Sequence, residues 1–146
     1  MLSVTFQIAT SAEALAKALA VREIVFCGEQ GIAYAIEHDD HDADSLHVLG
    51  EQAGAPIAAG RIRFVDDYAK LERIAVLKEQ RGKGVGRALT EFMLALAHQR
   101  GFTRCRLNAQ AHLVHFYAAH GFRPCGPHFL EADIDHCPML RDDTAR

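Results

Sequence analysis

The spacing of apolar residues changes early in the chain. Leu2, Val4, Phe6 and Ile8 alternate with polar or small residues, which predicts a half-buried β-strand. A helix is expected next, because Thr10 and Glu13 have the spacing of a capping box. Its apolar stripe comprises Leu15, Leu19 and Phe26. We expect this helix to end near Gly28.

Further along, the pattern predicts a hairpin and then alternating strands and helices. Residues 46–50 and 57–65 have strand character and are separated by a turn that contains Gly54 and Pro56. The later predicted elements are strands at 71–77, 103–107, 122–125 and 134–140, and helices at 85–100 and 111–120, which Gly101 and Gly121 end. This order indicates an α+β sandwich with a largely antiparallel sheet.

Composition limits the classes of protein that fit. We treat residues 1–146 as a single domain, since the chain is too short for two of ordinary size. The net charge of −3 and the lack of a basic tail argue against a nucleic-acid partner. No apolar run approaches the roughly 20 residues of a membrane span, and the N-terminus does not resemble a signal peptide. We therefore expect a cytoplasmic protein whose four scattered cysteines are small buried hydrophobes.

An acidic segment at residues 36–45 has three interpretations. It contains five acids and two histidines, and His47 follows closely. A metal site is one interpretation, but the spacing matches no standard zinc pattern and no cysteine joins it. We therefore favour a solvated loop and expect no metal. The third interpretation, attraction of a cationic amine substrate, stays open.

A glycine-rich turn joins the predicted strand at 71–77 to the predicted helix after it. Gly82, Gly84 and Gly86 occupy alternate positions, and Arg81, Lys83 and Arg87 add positive charge. The first amides of a helix lack internal partners and attract anions. The turn by itself therefore fits either a pyrophosphate site or a plain structural turn between strand and helix. Neither the P-loop nor the dinucleotide fingerprint has this glycine spacing.

The spacing does match a known signature. Arg81, Gly84 and Gly86 fit the pattern Gln/Arg-x-x-Gly-x-Gly/Ala of the GCN5-related N-acetyltransferases (GNAT). A strand ending in Arg-Ile-Ala-Val precedes it, and Phe116-Tyr117 stands shortly before Gly121-Phe122. The chain resembles this superfamily over nearly its whole length. The stretches VREIVFCGEQGI, LNAQAHLVHFY and FLEADIDHCPM resemble its ElaA-like branch.

The resemblance implies a three-layer α/β/α sandwich with a mixed, mostly antiparallel sheet. Strands 71–77 and 103–107 would diverge into a V-shaped cleft that holds acetyl-CoA, used as a co-substrate. The implied cofactor-binding residues are Ile74, Ala75, Val76, Arg81, Gly82, Lys83, Gly84, Val85, Gly86, Arg87, Asn108, Gln110 and Phe116. Backbone groups of Ile74 and Val76 would pair with the pantetheine arm like an added strand. The family's usual asparagine spacing falls on Gln110 rather than Asn108.

The resemblance also implies the chemistry, which is direct attack of an amine on the acetyl thioester. The Val76 N–H would stabilise the oxyanion and Tyr117 would protonate the leaving thiolate. Glu72 is one candidate base, because simple strand alternation places it on the face of Ile74 and Val76. His136 is the other candidate base. Glu29 and Gln30 are candidate residues of the substrate-binding wall.

Two functional classes share this cleft. The first is an acetyl-CoA-dependent N-acetyltransferase, and the second is a catalytically silent module that senses CoA or acyl-CoA on the same fold. Retention of Tyr117 favours the enzyme. The acceptor, a small-molecule amine, a peptide N-terminus or a lysine side chain, stays open. The family allows a homodimer.

Overall fold

Eight strands form one sheet in the computed structural model, which describes residues 3–144. They are β1 Val4–Ile8, β2 Leu46–Gln52, β3 Ala55–Val65, β4 Tyr68–Val76, β5 Arg104–Gln110, β6 Arg123–Pro124, β7 Phe129–Glu131 and β8 Ile134–Asp142. The spatial order is β1-β2-β3-β4-β5-β8-β6, and β7 pairs with β8. Neighbouring strands are antiparallel except β4 and β5, which are parallel. The predicted mixed, mostly antiparallel sheet is confirmed.

Helices cover both faces of the sheet. They are α1 Ala12–Arg22, α2 Tyr34–Glu37, α3 Val85–Gln99 and α4 Val114–Ala118. Helix α1 packs in a core that contains Leu49, and α3 packs in a separate core that contains Val48. Because adjacent residues of a strand point to opposite faces, α1 and α3 lie on opposite sides. The three-layer α/β/α sandwich is confirmed. In the part of the chain that the structure describes, no helix is long and apolar enough to cross a bilayer.

The first helix differs from its prediction at both ends. Its N-cap is Ser11, whose side chain accepts a hydrogen bond from the Ala14 N–H, so the predicted Thr10 cap is wrong by one residue. After Arg22 the chain continues as a π-helical segment, Glu23–Glu29. The predicted stripe is also wrong: the residues buried against the sheet are Ala14, Ala18, Val21 and Val25, whereas Leu15, Leu19 and Phe26 are half-buried. Small alanines allow the helix to approach the sheet closely.

Other boundaries differ where an element is short. The predicted helix at 111–120 begins as a 3₁₀ turn, Ala111–Leu113, before α4. The predicted strand at 122–125 is reduced to β6, and β7 was not predicted. Such elements have too few residues to show a hydrophobic period. Leu2, at the start of the first predicted strand, lies outside the described residues.

The parallel pairing of β4 and β5 is brief. The register contains only Ala69 opposite Cys105 and Lys70 opposite Arg106. Beyond these pairs the two strands separate and form the arms of a V. The predicted divergence of the two strands is therefore present, and its apex lies at Lys70 and Arg106.

A β-bulge interrupts β4 within this V. Ala59 pairs with Ala75 and Arg61 with Glu72, so one residue of β3 faces two of β4 between these pairs. Arg73 has a φ of 55°, an uncommon conformation for a residue with a side chain. The bulge reverses the alternation beyond it. Glu72 therefore does not share a face with Ile74 and Val76, and the prediction from simple alternation is wrong.

The acidic segment contributes to a buried charge network rather than to a solvated loop. Glu37 is 2% exposed and lies 3.0 Å from a nitrogen of Arg22, which is itself fully buried. Asp42 contacts Arg22 and Arg61 at 2.8 and 2.9 Å, and Asp39 contacts Arg61 at 2.6 Å. The expectation of a solvated loop is wrong for these three acids. It failed because the partner arginines are distant in sequence.

Candidate active site

A cleft of about 790 Å³ lies between the diverging strands, the start of α3 and the π-helical segment. Its lining contains most of the residues that the sequence indicated: Gln30, Glu72, Ile74, Ala75, Val76, Arg81, Gly82, Gly84, Gly86, Arg87, Asn108, Gln110, Phe116, Tyr117 and His136. Glu29, Lys83 and Val85 do not line it. Val85 is 5% exposed and belongs to the core, so its side chain faces away from a ligand.

The glycine turn has the conformation that an anion site needs. Gly82 and Gly84 have φ values of 77° and 84°, which residues with a side chain rarely adopt. Gly84 is the N-cap of α3 and supplies no capping side chain, so the first amides of the helix are not bonded by a cap. A Cβ at Gly86 would lie 3.6 Å from Phe116 and 3.8 Å from Val76. The start of α3 therefore lies close to Phe116 on one wall of the cleft and to Val76 on the other.

Arg81 is held at the end of β4. Its guanidinium donates two hydrogen bonds to Glu29 at 2.7 and 2.8 Å, and its Nε donates to the Val76 carbonyl at 3.0 Å. These bonds lower the pKa of the Glu29 carboxyl below its ordinary value. Sequence reasoning placed Arg81 on the pyrophosphate and Glu29 on the substrate wall. The structure instead pairs them with each other.

The neighbouring residue bridges to the other arm of the V. The side-chain amides of Gln30 and Gln110 exchange two hydrogen bonds, at 2.9 and 3.1 Å. Glu29 and Gln30, which we call the strap, therefore contact both arms: one through Arg81 and the other through β5. Contacts between residues 80 positions apart have no signal in the sequence pattern.

The edge of β4 that faces the cleft carries the backbone N–H of Val76. The Leu77 N–H donates to the Ile57 carbonyl of β3 at 2.9 Å. Hydrogen-bonded and non-hydrogen-bonded pairs alternate along an antiparallel ladder, so the pair of Ala58 and Val76 is of the second kind. The Val76 N–H therefore points away from β3 and towards β5. An extended ligand could pair with this edge.

Tyr117 packs in the hydrophobic core and also lines the cleft. It is 6% exposed, and its ring makes edge contacts with Phe116 and Phe122 at centroid distances of 5.0 and 6.1 Å. Burial raises the pKa of Tyr117 above its ordinary value of 10.0. Its hydroxyl is therefore protonated at neutral pH, and burial makes it a weaker acid than an exposed tyrosine.

The two base candidates differ in their surroundings. The His136 Nδ1 lies 2.7 Å from the Ile134 carbonyl, which can only accept, so Nδ1 carries the hydrogen and the lone pair is on Nε2, which lies 3.8 Å from a carboxylate oxygen of Glu131. Glu72 lies 2.9 Å from Arg61 and 3.1 Å from Lys70. Burial opposes ionisation of Glu72, but the Lys70 and Arg61 charges outweigh it and lower the pKa of this carboxyl. Such a carboxylate accepts a proton poorly.

Sequence reasoning missed several cleft residues. They include Phe26, Ile32, Ile36, Lys70, Arg73, Leu113 and Glu131. Lys70 could have been found from its place before the glycine turn, on the strand that carries Glu72. Arg73 could not have been found from the sequence, because its orientation depends on the bulge. Its guanidinium lies 2.7 Å from Glu37 and 3.2 Å from Asp39.

Comparison with known proteins agrees with this geometry. A family model described as an acetyltransferase (GNAT) domain matches residues 17–142. The match covers well over half of the chain, so the protein belongs to the GNAT acetyltransferase family. Acyl transfer is the general chemistry of that family.

Particular relatives cover nearly the whole chain. The uncharacterized N-acetyltransferase YjcF of Bacillus subtilis (strain 168) is 40% identical over 136 residues, which are 92% of this chain and 97% of that protein. Escherichia coli ElaA superposes with a TM-score of 0.84 at 30% identity, covering 97% of this chain and all of that one. An acyl-CoA N-acyltransferase from Pseudomonas aeruginosa superposes with a TM-score of 0.85 at 29% identity, covering 97% and 99%. The resemblance to the family and to its ElaA-like branch is confirmed.

Proposed function

We propose that the protein is an acetyl-CoA-dependent N-acetyltransferase that acts on a primary amine by direct attack. The observation that carries this proposal is the continuity of the cleft: the edge of β4 that carries the Val76 N–H leads directly to the uncapped glycine turn at the start of α3. CoA has a matching linear order, because its extended pantetheine arm leads to its diphosphate. The names of YjcF and of the Pseudomonas aeruginosa neighbour also support the proposal.

The turn and the strand edge would divide the binding of CoA between them. Amides of Gly82, Gly84 and Gly86 would hold the pyrophosphate, with the side chain of Arg87 beside them. Backbone groups of Ile74 would pair with the pantetheine arm, while the Val76 carbonyl stays bonded to Arg81 and the Val76 N–H faces the thioester. The Glu29–Arg81 ion pair would keep the end of β4 in position for this pairing.

Each step of the reaction has a candidate group. The amine nitrogen attacks the thioester carbon, so that a C–N bond forms and the C–S bond breaks. The Val76 N–H would stabilise the oxyanion, and one such donor typically contributes about 3 to 4 kcal/mol. Tyr117 would give its proton to the departing thiolate. His136 is favoured over Glu72 as the base that removes the proton from the attacking amine, because its Nε2 carries the lone pair and Glu72 is held by two cations.

Replacement of Tyr117 by phenylalanine tests the enzyme proposal. We expect Tyr117→Phe to lower kcat by about 100-fold, since general acid catalysis commonly contributes that much, while CoA affinity changes little. Release of CoA thiol from acetyl-CoA on an amine panel measures the first quantity, and calorimetry with CoA measures the second.

Tyr34→Phe provides the matched control, because Tyr34 is 61% exposed and lies outside the cleft lining. That variant should retain wild-type turnover. Two results would contradict the proposal: full turnover in Tyr117→Phe, which would remove its acid role, and CoA binding without turnover on a broad amine panel. The second would favour a sensor.

A further inference from the structure

A small side cavity adjoins the cleft where β4 and β5 separate. Its volume is about 150 Å³, and Lys70, Leu107 and Asn108 line both it and the cleft. Tyr68 and Arg106 are among its other lining residues. A molecule in the cleft could therefore extend a short group into this cavity.

Two cations stand side by side in this cavity. Lys70 and Arg106 are register partners in the short parallel pairing of β4 and β5. Neighbouring strands lie about 4.8 Å apart and register partners point to the same face, so the two side chains leave the sheet next to each other, with the Lys70 ammonium beside Glu72 and the Arg106 guanidinium over Tyr68. Two like charges in a partly enclosed site favour an anion between them.

Arg106 lacks a carboxylate partner among residues 3–144. Its guanidinium carbon lies 5.0 Å from the Tyr68 ring centroid, and its Nε is buried without a hydrogen-bond acceptor in the described chain. A ligand that supplies an anionic oxygen could pair with the part of this guanidinium that lines the cavity.

The nearest carboxylate is already shared among other cations. Glu72 lies 2.9 Å from Arg61, 3.1 Å from Lys70 and 3.7 Å from Arg63. Arg61 also pairs with Asp39 and Asp42, so Glu72 mainly balances Lys70 and Arg63 and leaves no charge for Arg106. This face of the sheet has excess positive charge next to the cavity, although the whole chain has a net charge of −3.

We propose that the side cavity binds an anionic group of the acceptor, a carboxylate or a phosphate monoester, through Lys70 and Arg106. The acceptor is then a molecule that carries both a primary amine and an anion. This inference rests on the proposed acetyl transfer, because it names the substrate class of the same site. The amide side chain of Asn108, which lines both spaces, is placed to contact the bound group.

A matched series of acceptors tests the inference. The probes are ω-amino carboxylates with one to five methylenes, alkylamines of the same lengths, and 2-aminoethyl phosphate beside ethylamine. We expect at least one anionic probe to have a kcat/KM about tenfold or more above its alkylamine, mainly through KM, because charge-assisted pairing with arginine is strong. The anionic group, carboxylate or phosphate, that gives the larger gain in kcat/KM over its alkylamine is the anion that the cavity prefers.

Two arginine variants decide whether the cavity is responsible. Arg106→Gln should remove the advantage of the anionic probe and leave the alkylamine rate within about twofold. Arg104→Gln is the control, since Arg104 lies on the same strand but pairs with Asp67 at 2.6 Å and does not line the cavity. It should keep the advantage. Equal rates for both acceptor types in wild type, or an unchanged ratio in Arg106→Gln, would overturn the inference.

A binding measurement separates this inference from the proposed function. Calorimetry follows the same anionic probes with CoA present, in wild type and in both variants. If no amine is acetylated, the proposed function fails, but binding that Arg106→Gln abolishes and Arg104→Gln retains would still support an anion site. Absence of probe binding to wild type would overturn the site even if alkylamines are acetylated.

Discussion

At the scale of single residues, backbone conformation separates the glycines of the turn. Gly84 has a φ of 84° and no neighbour close to the position of a Cβ, so its requirement for glycine is conformational. Gly86 has no positive φ, and a Cβ there would make ordinary contacts with Phe116 and Val76. The same chemical change therefore has different consequences two positions apart.

We predict that Gly84→Ala weakens CoA binding by about tenfold or more, because the left-handed conformation costs alanine about 1 kcal/mol or more and the amides would shift. Gly86→Ala, the comparison variant, should weaken it by no more than about threefold, consistent with the Gly/Ala choice in the family signature. Titration calorimetry with CoA measures both. Equal losses in the two variants would show that conformation at residue 84 does not control the site.

At the scale of elements, the strap joins the π-helical segment to both arms of the V. Gln30 contacts β5 through Gln110, and Glu29 contacts the end of β4 through Arg81. The backbone around the strap is bonded back to the segment, by the Gln30 N–H to Val25 and by the Ile32 N–H to Phe26. The position of this segment over the cleft thus depends on side-chain bonds.

We predict that Gln110→Met loosens the segment, because methionine keeps the side-chain length but cannot bond to the Gln30 amide. Hydrogen exchange at the amides of Gln30 and Ile32 should become about three- to tenfold faster, as expected for the loss of two exposed side-chain hydrogen bonds. Gln99→Met, at the exposed end of α3, should leave these amides unchanged. Unchanged exchange in Gln110→Met would mean that the amide pair does not hold the segment.

The elements themselves were largely predictable. The β2–β3 hairpin and the β4–turn–α3 sequence were expected from local alternation and glycine placement, and the structure contains them. The face of the sheet on which Glu72 lies was not predictable, because one bulge at Arg73 reverses the alternation. The expected buried stripe of α1 was wrong because the helix packs through alanines. A hydrophobic period does not distinguish large from small residues at an interface.

At the scale of the whole molecule, a charge network joins α1, the acidic segment, β3 and β4. Arg61 is fully buried and lies within 3.0 Å of Asp39, Asp42 and Glu72. Burial opposes ionisation of Asp39, but hydrogen bonds and charge from Arg61 outweigh it, and the pKa of Asp39 falls from 3.8 to about 2. The network therefore needs its carboxylates in the charged form.

We predict that the free energy of unfolding decreases as the pH falls from about 4 to about 2. The folded pKa of Asp39 lies below its unfolded value, so its contribution is present above the unfolded pKa and is lost as the pH falls through the folded one. That contribution is about 2 kcal/mol at neutral pH. Urea unfolding measured at a series of pH values tests this.

Asp39→Asn should be less stable at neutral pH and should lose less stability on acidification. Asp40→Asn is the matched control, since the neighbouring Asp40 is exposed, and it should follow the wild-type curve. Identical acid dependence in wild type and Asp39→Asn would exclude Asp39 as a source of the pH effect.

The sequence by itself determined the longer strands, the hairpin, the glycine turn before α3 and the family resemblance. These features depend on neighbouring residues, through side-chain alternation and the conformational freedom of glycine. Only the tertiary structure decided that Arg81 binds Glu29, that Gln30 binds Gln110, that Glu72 faces Arg61 and that Lys70 lies beside Arg106. Such pairings join residues far apart in the chain, and many alternative pairings satisfy the same local pattern. Packing and strand register select one of them.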